Sequence, residues 1–168
     1  MIISFTGTHG IGKTDAALNQ GAELKRACPG KSVHVLHDLE AFCPFKINGD
    51  TTEAAQTWLF AQQIRAELST LAVFDIVVSD RTLVDVIAYT YVAGFIDLAD
   101  GMLAYARQHV KNYHRIYFKK IINNDHCHAD GIRDAENKLF RQDVEDVLGQ
   151  LYVDLVIGGQ ILGKLYFL

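Results

Sequence analysis

The amino-acid sequence predicts an α/β protein with a doubly wound, five-stranded parallel sheet. Short apolar stretches alternate with longer amphipathic segments, which is typical of a parallel sheet covered by helices on both faces. A glycine-rich loop joins the first apolar stretch to the first amphipathic segment, and carboxylates follow the second and third apolar stretches. Sites in such folds gather at the carboxyl ends of the strands, so these loops predict one shared site.

The strands are predicted from apolar, β-prone runs that end at polar or glycine-containing loops. Lys31–His37 follows the turn at Pro29-Gly30, and Phe74–Ser79 is largely apolar, as expected of a strand buried on both faces. In chain order the five predicted strands are Met1–Thr6, Lys31–His37, Phe74–Ser79, His114–Lys119 and Tyr152–Ile157.

The helices are predicted from apolar side chains that repeat every three to four residues. Asp50 and Glu53 have the spacing of a capping box, which predicts that the second helix begins there. The predicted helices are Asp15–Arg26, Asp50–Leu71, a segment through Tyr91 that ends near Gly94, Leu98–Asn112 and Asp134–Gln150. A short closing helix is expected over Gln160–Leu168.

Length and composition indicate one globular domain over residues 1–168. The hydrophobic content of 49% argues against disorder, and the formal net charge of -4 argues against a nucleic-acid partner. The sequence has no run of 18 apolar residues, so we expect no membrane-spanning helix. The first strand leaves no room for a signal peptide, and the 3 cysteines have no paired spacing. We therefore expect a cytoplasmic protein with free thiols.

The loop after the first strand fits the pattern of glycine, four residues and Gly-Lys-Thr, which is typical of phosphate binding. Its glycines allow successive backbone N–H groups to point at phosphate oxygens, and the following helix adds its N-terminal dipole. Lys13 is expected to reach the β- and γ-phosphates, and the Thr14 hydroxyl to join the shell of Mg²⁺. The candidate nucleotide-binding residues are Gly7, His9, Gly10, Ile11, Gly12, Lys13 and Thr14.

Asp80 and Arg81 come directly after the third strand, beside the predicted phosphate loop. Asp80 is a candidate Mg²⁺ ligand opposite Thr14, directly or through water, and Arg81 a candidate for binding a transferred or acceptor phosphate. The alternative is structural: Asp80 would cap the next helix, and Arg81 would pair with Asp85 one turn later.

Asp38 and Glu40 follow the second strand and are candidates for orienting or deprotonating an acceptor hydroxyl. In an extended backbone, residues two apart share one face. Asp38 is slightly favoured because it lies nearer the strand. The alternative is that both are solvated loop carboxylates.

Arg133 and Arg141 are candidates for neutralising charge in a transition state. On a helix, a separation of eight residues places them about 80° apart. The polar, irregular segment that precedes them predicts a lid over about 120–141 that closes on bound nucleotide. The alternative is a solvated charged face shared with the neighbouring acidic residues.

These residues together resemble the P-loop nucleoside and nucleotide kinases. The chain is most similar to the AAA-type ATPase/kinase family that includes nicotinamide-riboside kinase domains, and the wider group includes thymidylate and deoxynucleoside kinases. Ala41 stands where that family tends to have an arginine. Four stretches carry the resemblance: Gly7–Thr14, Asp38–Asn48, Ser79–Thr90 and Asp130–Arg141.

The resemblance implies a P-loop NTPase fold and transfer of the γ-phosphoryl group of ATP, with Mg²⁺, to a small acceptor. A nucleoside or nucleotide is the expected acceptor, and a homo-oligomer stays an open alternative to a monomer. The rival interpretation is a regulatory P-loop NTPase that acts as a switch through a protein partner.

Overall fold

The computed structural model describes residues 1–47, 50–121 and 138–168. Within these ranges the sheet has five strands, all parallel, in the order β2-β3-β1-β4-β5. The strands are β1 Ile2–Thr6, β2 Val33–Leu36, β3 Ile76–Ser79, β4 Tyr113–Phe118 and β5 Leu165–Phe167. The glycine-rich loop after β1 therefore lies at the middle of the carboxyl edge, with the loop after β3 beside it.

Helices cover both faces of the sheet and enclose two cores. The helices are α1 Lys13–Ala27, α2 Glu53–Leu71, α3 Leu83–Val92, α4 Ile96–His109 and α5 Lys138–Ile157. On one face Ala17 of α1 packs with Phe5, Ile76 and Val78 of the strands. The larger core lies on the other face, where apolar side chains of α2 to α5 pack together. The predicted fold class is thus confirmed.

The C-terminal region differs from the prediction. Tyr152–Ile157 is the last part of α5 rather than a strand, and Gln160–Leu168 contains β5 rather than a closing helix. Residues 152–157 are β-prone, but their buried members Tyr152 and Leu155 continue the helical stripe of Val144 and Leu148. Burial along one helix face therefore decides the conformation against local propensity.

The second helix also begins differently from the prediction. Thr52, not Asp50, is the N-cap of α2, and its hydroxyl oxygen accepts a hydrogen bond of 3.2 Å from the backbone N–H of Ala55. A capping box does occur, but at the start of α3, where Thr82 and Asp85 bond to each other's backbone. Threonine and aspartate are both good caps, so sequence spacing alone does not choose between them.

The other predicted strands and helices lie within a few residues of their expected positions. Cys28 and Cys43 are free thiols, as expected, whereas Cys127 lies outside the described residues. No helix in the described part of the chain is long and apolar enough to cross a membrane.

Asp85 joins the glycine-rich loop to α3. This carboxylate is fully buried and accepts hydrogen bonds from the Thr6 hydroxyl at 2.9 Å and the Gly7 backbone N–H at 3.1 Å. Its second set of donors is the backbone N–H and hydroxyl of Thr82, at 2.8 and 2.7 Å. Four donors thus compensate the burial of one charge and fix the end of β1 against the start of α3.

Asp85→Ala should lower the free energy of unfolding by about 3 kcal/mol, because it leaves buried donors without an acceptor. Urea unfolding of the two proteins measures this difference. Asp97→Ala, at an exposed position on α4, is the matched control and should leave the unfolding midpoint almost unchanged. Equal midpoints for wild-type and Asp85→Ala proteins would contradict the assigned role.

Candidate functional site

The glycine-rich loop has the tight backbone that phosphate binding requires. Gly7 has a φ of 139°, and a Cβ atom there would lie 2.4 Å from the backbone oxygen of Lys119. Gly12 is the N-cap of α1 and adopts the left-handed conformation, with a φ of 73°. A side chain at Gly7 would collide with β4's end, so the loop needs glycine there to lie against the sheet.

Lys13 lies inside the curve of this loop. Its side chain is 4% exposed, and its Nζ donates a hydrogen bond of 2.6 Å to the backbone oxygen of Thr8. A second cation, Lys119 from the end of β4, donates from its Nζ to the backbone oxygen of Gly12 at 3.2 Å. The loop therefore has two lysine ammonium groups, of which the sequence motif identifies Lys13.

Asp80 and Thr14 meet across the end of the sheet. The Thr14 hydroxyl donates a hydrogen bond of 2.8 Å to Asp80 Oδ2, and Asp80 is 4% exposed. Burial raises the pKa of Asp80 above its usual value. The N-cap of α3 is Thr82 and not Asp80, so the alternative in which Asp80 caps this helix is wrong.

This pair of oxygen donors fits a magnesium ion. Among the described residues, no group of three or more His, Cys, Asp or Glu side chains gathers at a point suited to a metal. Mg²⁺ usually binds few protein oxygens and keeps phosphate oxygens and waters as its other ligands. One hydroxyl and one carboxylate beside the glycine-rich loop match that preference.

Arg81 pairs with Glu40 rather than with Asp85. Its Nη2 donates a hydrogen bond of 3.0 Å to Glu40 Oε1, and the two side chains are 14% and 7% exposed. Burial by itself lowers the pKa of Arg81, but the surrounding acidic groups, led by Glu40, together raise it. The guanidinium thus stays charged beside a buried carboxylate.

Asp38 and Glu40 do not share one face, contrary to the sequence expectation. β2 ends at Leu36, and Asp38 adopts a left-handed conformation with a φ of 54°, which begins a short 3₁₀ helix over Leu39–Phe42. This turn directs Glu40 inward. The Asp38 carboxylate stays half-exposed and lies 2.8 Å from Nδ1 of His37.

A cavity opens beside the Glu40–Arg81 pair and reaches the glycine-rich loop at His9. Its wall combines aliphatic side chains, two amides, a phenol and the ion pair, which is the composition of a small-molecule site. The lining residues are His9, Leu39, Glu40, Ile47, Gln56, Leu59, Gln63, Arg81, Val86 and Tyr89.

Tyr89 connects this cavity to the loop. Its hydroxyl oxygen accepts a hydrogen bond of 3.0 Å from the His9 backbone N–H and lies 2.9 Å from His9 Nδ1. Burial raises the pKa of Tyr89, so the phenol is neutral at pH 7. Phe140 of α5 packs against both rings, with centroids 6.2 Å from His9 and 5.9 Å from Tyr89.

The predicted lid is described only at its ends. Arg133 and most of the interval 120–141 lie outside the described residues. Arg141 is part of α5 and is 5% exposed, so it does not belong to a solvated charged face. Its neighbour Phe140 contacts the glycine-rich loop, which places this end of α5 close to the site.

Several site residues were not identified from the sequence. Gln56, Gln63 and Tyr89 line the cavity, and Asp85 holds the loop. Gln56 and Gln63 are spaced seven residues apart, which places them on the buried face of α2 among apolar side chains. Two amide side chains on the otherwise apolar face of the predicted second helix were the signal in the sequence that could have identified them.

The fold is that of the P-loop nucleoside and nucleotide kinases. The structure is similar to deoxyadenosine kinase from M. mycoides with bound dATP, with a TM-score of 0.65 and 12% identity over 100% of this chain and 90% of that one. It is also similar to thymidylate kinase from Ehrlichia chaffeensis, with a TM-score of 0.59 and 14% identity over 99% and 85% of the two chains. No protein-family model and no curated protein matches the sequence.

Asp80→Asn should make the ligand-free protein more stable by about 1 kcal/mol. Because the folded state raises the pKa of Asp80, ionisation of this buried carboxylate at neutral pH opposes folding, and asparagine removes that charge. Thermal unfolding without nucleotide or Mg²⁺ measures the change. Asp143→Asn, at an exposed position, is the control, and an unchanged or lower melting temperature for Asp80→Asn would contradict the argument.

Proposed function

We propose that the protein is an ATP- and Mg²⁺-dependent kinase that transfers the γ-phosphoryl group to a small acceptor, most simply a nucleoside or nucleotide. The observation that carries this proposal is the cavity that joins His9 of the phosphate loop to the buried Glu40–Arg81 pair. Such a cavity gives an acceptor a place next to the phosphates, which a phosphotransferase needs.

The phosphate loop provides the donor side of the reaction. The backbone N–H groups around Gly10 and Gly12 bind phosphate oxygens, and Lys13 exchanges its bond to Thr8 for the β- and γ-phosphates. Thr14 and Asp80 hold Mg²⁺, which when bound neutralises phosphate charge. Little covalent chemistry falls to the protein, so positioning and electrostatics account for the rate.

Glu40 and Arg81 provide the acceptor side. The Glu40 carboxylate accepts a hydrogen bond from the acceptor hydroxyl and takes up its proton as the bond to phosphorus forms. Arg81 keeps Glu40 ionised and counters the negative charge that gathers on the phosphoryl oxygens. We prefer Glu40 to Asp38 for this role because Glu40 is buried in the cavity wall, whereas Asp38 is half-exposed.

Arg141 of α5 and Arg133 complete the proposal as the groups that neutralise negative charge in the transition state. Support for Arg141 comes from its burial and from the contact of the adjacent Phe140 with His9. Arg133 is proposed on the sequence pattern alone.

The kinase and its rival, a regulatory switch, give different products. Purified protein with ATP, Mg²⁺ and a panel of nucleosides and nucleotides should form a phosphorylated acceptor in step with ADP, detected by mass spectrometry. ATP hydrolysis without acceptor should be slow, and Lys13→Ala should abolish product formation in a folded protein. Steady hydrolysis that no small acceptor changes, but that a protein partner accelerates, would favour the switch.

Replacing the two candidate bases should separate their roles. Glu40→Gln should reduce kcat by about 100-fold, because the amide cannot accept the acceptor's proton. Asp38→Asn, two residues away and half-exposed, should stay within about threefold of wild type and is the matched control. Steady-state kinetics on the best acceptor of the panel measures both. A larger loss of kcat in Asp38→Asn than in Glu40→Gln would indicate that Asp38 is the base.

A further inference from the structure

We infer that Gln63 selects the acceptor by presenting its amide oxygen, and not its amide nitrogen, to the cavity. This inference rests on the proposed function, since it assigns the cavity to the acceptor. It predicts that the site prefers a nucleoside whose base carries an N–H group toward Gln63, because an amide oxygen only accepts hydrogen bonds.

The amide nitrogen of Gln63 has no hydrogen left for a ligand. Nε2 donates to Glu67 Oε1 at 2.8 Å, and its second hydrogen is directed at Ser79 Oγ at 3.3 Å and the backbone oxygen of Arg81 at 3.4 Å. The Ser79 hydroxyl donates its own hydrogen to that same Arg81 oxygen at 2.7 Å, so its lone pairs face Gln63. Both Nε2 hydrogens therefore point at protein acceptors.

Glu67 prevents the amide from turning over. A carboxylate accepts hydrogen bonds and donates none, so the nitrogen of Gln63 must be the atom that faces it. Glu67 is fully buried, with Oε2 at 2.6 Å from His109 Nε2 and Oε1 accepting from the Tyr113 hydroxyl at 3.0 Å. A flipped Gln63 would place two acceptor oxygens together in a buried site, which is strongly unfavourable.

The elements around Glu67 make this arrangement rigid. His109 comes from the end of α4 and Tyr113 from the start of β4, and the Tyr113 hydroxyl also accepts a hydrogen bond of 2.9 Å from the backbone N–H of Leu83. Two separate elements, α4 and β4, thus hold the carboxylate directly, and the carboxylate holds Gln63. A network with every member satisfied defines one orientation.

The oxygen of Gln63 is the atom that remains for a ligand. Gln63 lines the acceptor cavity, and among the described residues none donates a hydrogen bond to its Oε1. Leu59, Val86 and Tyr89 contribute apolar surface to the same cavity, which suits a nucleobase. A bound base that lacks N–H groups would bury this oxygen without a donor.

The preference can be measured with two pairs of nucleosides whose members differ only in one amino group on the base. Adenosine carries an amino group that purine riboside lacks, and cytidine carries an amino group that 2-pyrimidinone riboside lacks. For whichever base class the protein phosphorylates, the wild type should favour the amino compound in kcat/KM by about tenfold. Deoxynucleoside forms of the same pairs serve if the protein prefers deoxyribose.

Variants then test whether Gln63 and Glu67 cause the preference. Gln63→Met, of similar shape but without the amide, should bring the ratio of the two kcat/KM values close to one. Glu67→Gln should also reduce the ratio, because an amide at 67 donates as well as accepts and lets Gln63 turn over. Gln62→Met, at the neighbouring position on α2 and outside the cavity lining, is the control and should keep the wild-type ratio.

The outcomes distinguish the inference from the proposed function. Phosphorylation with a preference that falls in Gln63→Met and Glu67→Gln, but not in Gln62→Met, supports the inference. Phosphorylation with the same ratio in all four proteins overturns the role of Gln63 and leaves the kinase assignment intact. The absence of any phosphorylated nucleoside or nucleotide with wild type overturns the proposed function, and the inference with it. Because the ratio compares two substrates of one protein, a general loss of stability does not change it.

Discussion

The buried carboxylate of Asp85 is the interaction on which the site depends. It accepts hydrogen bonds from Thr6 and Gly7 at the end of β1 and from Thr82 at the start of α3. Since α3 follows directly on the Asp80-Arg81 segment, one side chain sets the distance between the phosphate loop and those two residues. The remaining site geometry follows from this junction and from the parallel pairing of β1 with β3.

Opposite charges are concentrated in a poorly solvated region around this junction. Lys13, Asp80, Arg81 and Glu40 all lie at the carboxyl edge with little exposure to water. Desolvating so many charges opposes folding, and their mutual attraction only partly offsets that cost. The proposed binding of polyphosphate and metal would benefit from this arrangement, because the same low polarity strengthens electrostatic contacts with a ligand.

The buried polar network below the cavity extends this principle to neutral groups. Glu67, His109 and Tyr113 do not line the cavity, yet they determine how Gln63 faces it. Under the proposed function, recognition is divided into two parts. The charged residues near the glycine-rich loop would bind the phosphoryl group, and the amide of Gln63 would bind the rest of the acceptor.

The sequence by itself determined the features that depend on a few neighbouring residues. The glycine-rich loop, the parallel sheet and the position of Asp80 opposite Thr14 followed from a contiguous motif, strand–helix alternation and the rule that parallel strands end at one edge. Features that depend on distant contacts were decided by tertiary structure. Burial of Tyr152 and Leu155 made residues 152–157 helical. The left-handed turn at Asp38 leaves Asp38 half-exposed and Glu40 buried, although the sequence slightly favoured Asp38 as the acceptor-binding carboxylate. The orientation of Gln63 depends on elements up to 46 residues from Glu67 in the chain. Hydrogen-bond partners brought together by folding leave no local pattern in the sequence, so only the folded chain defines them.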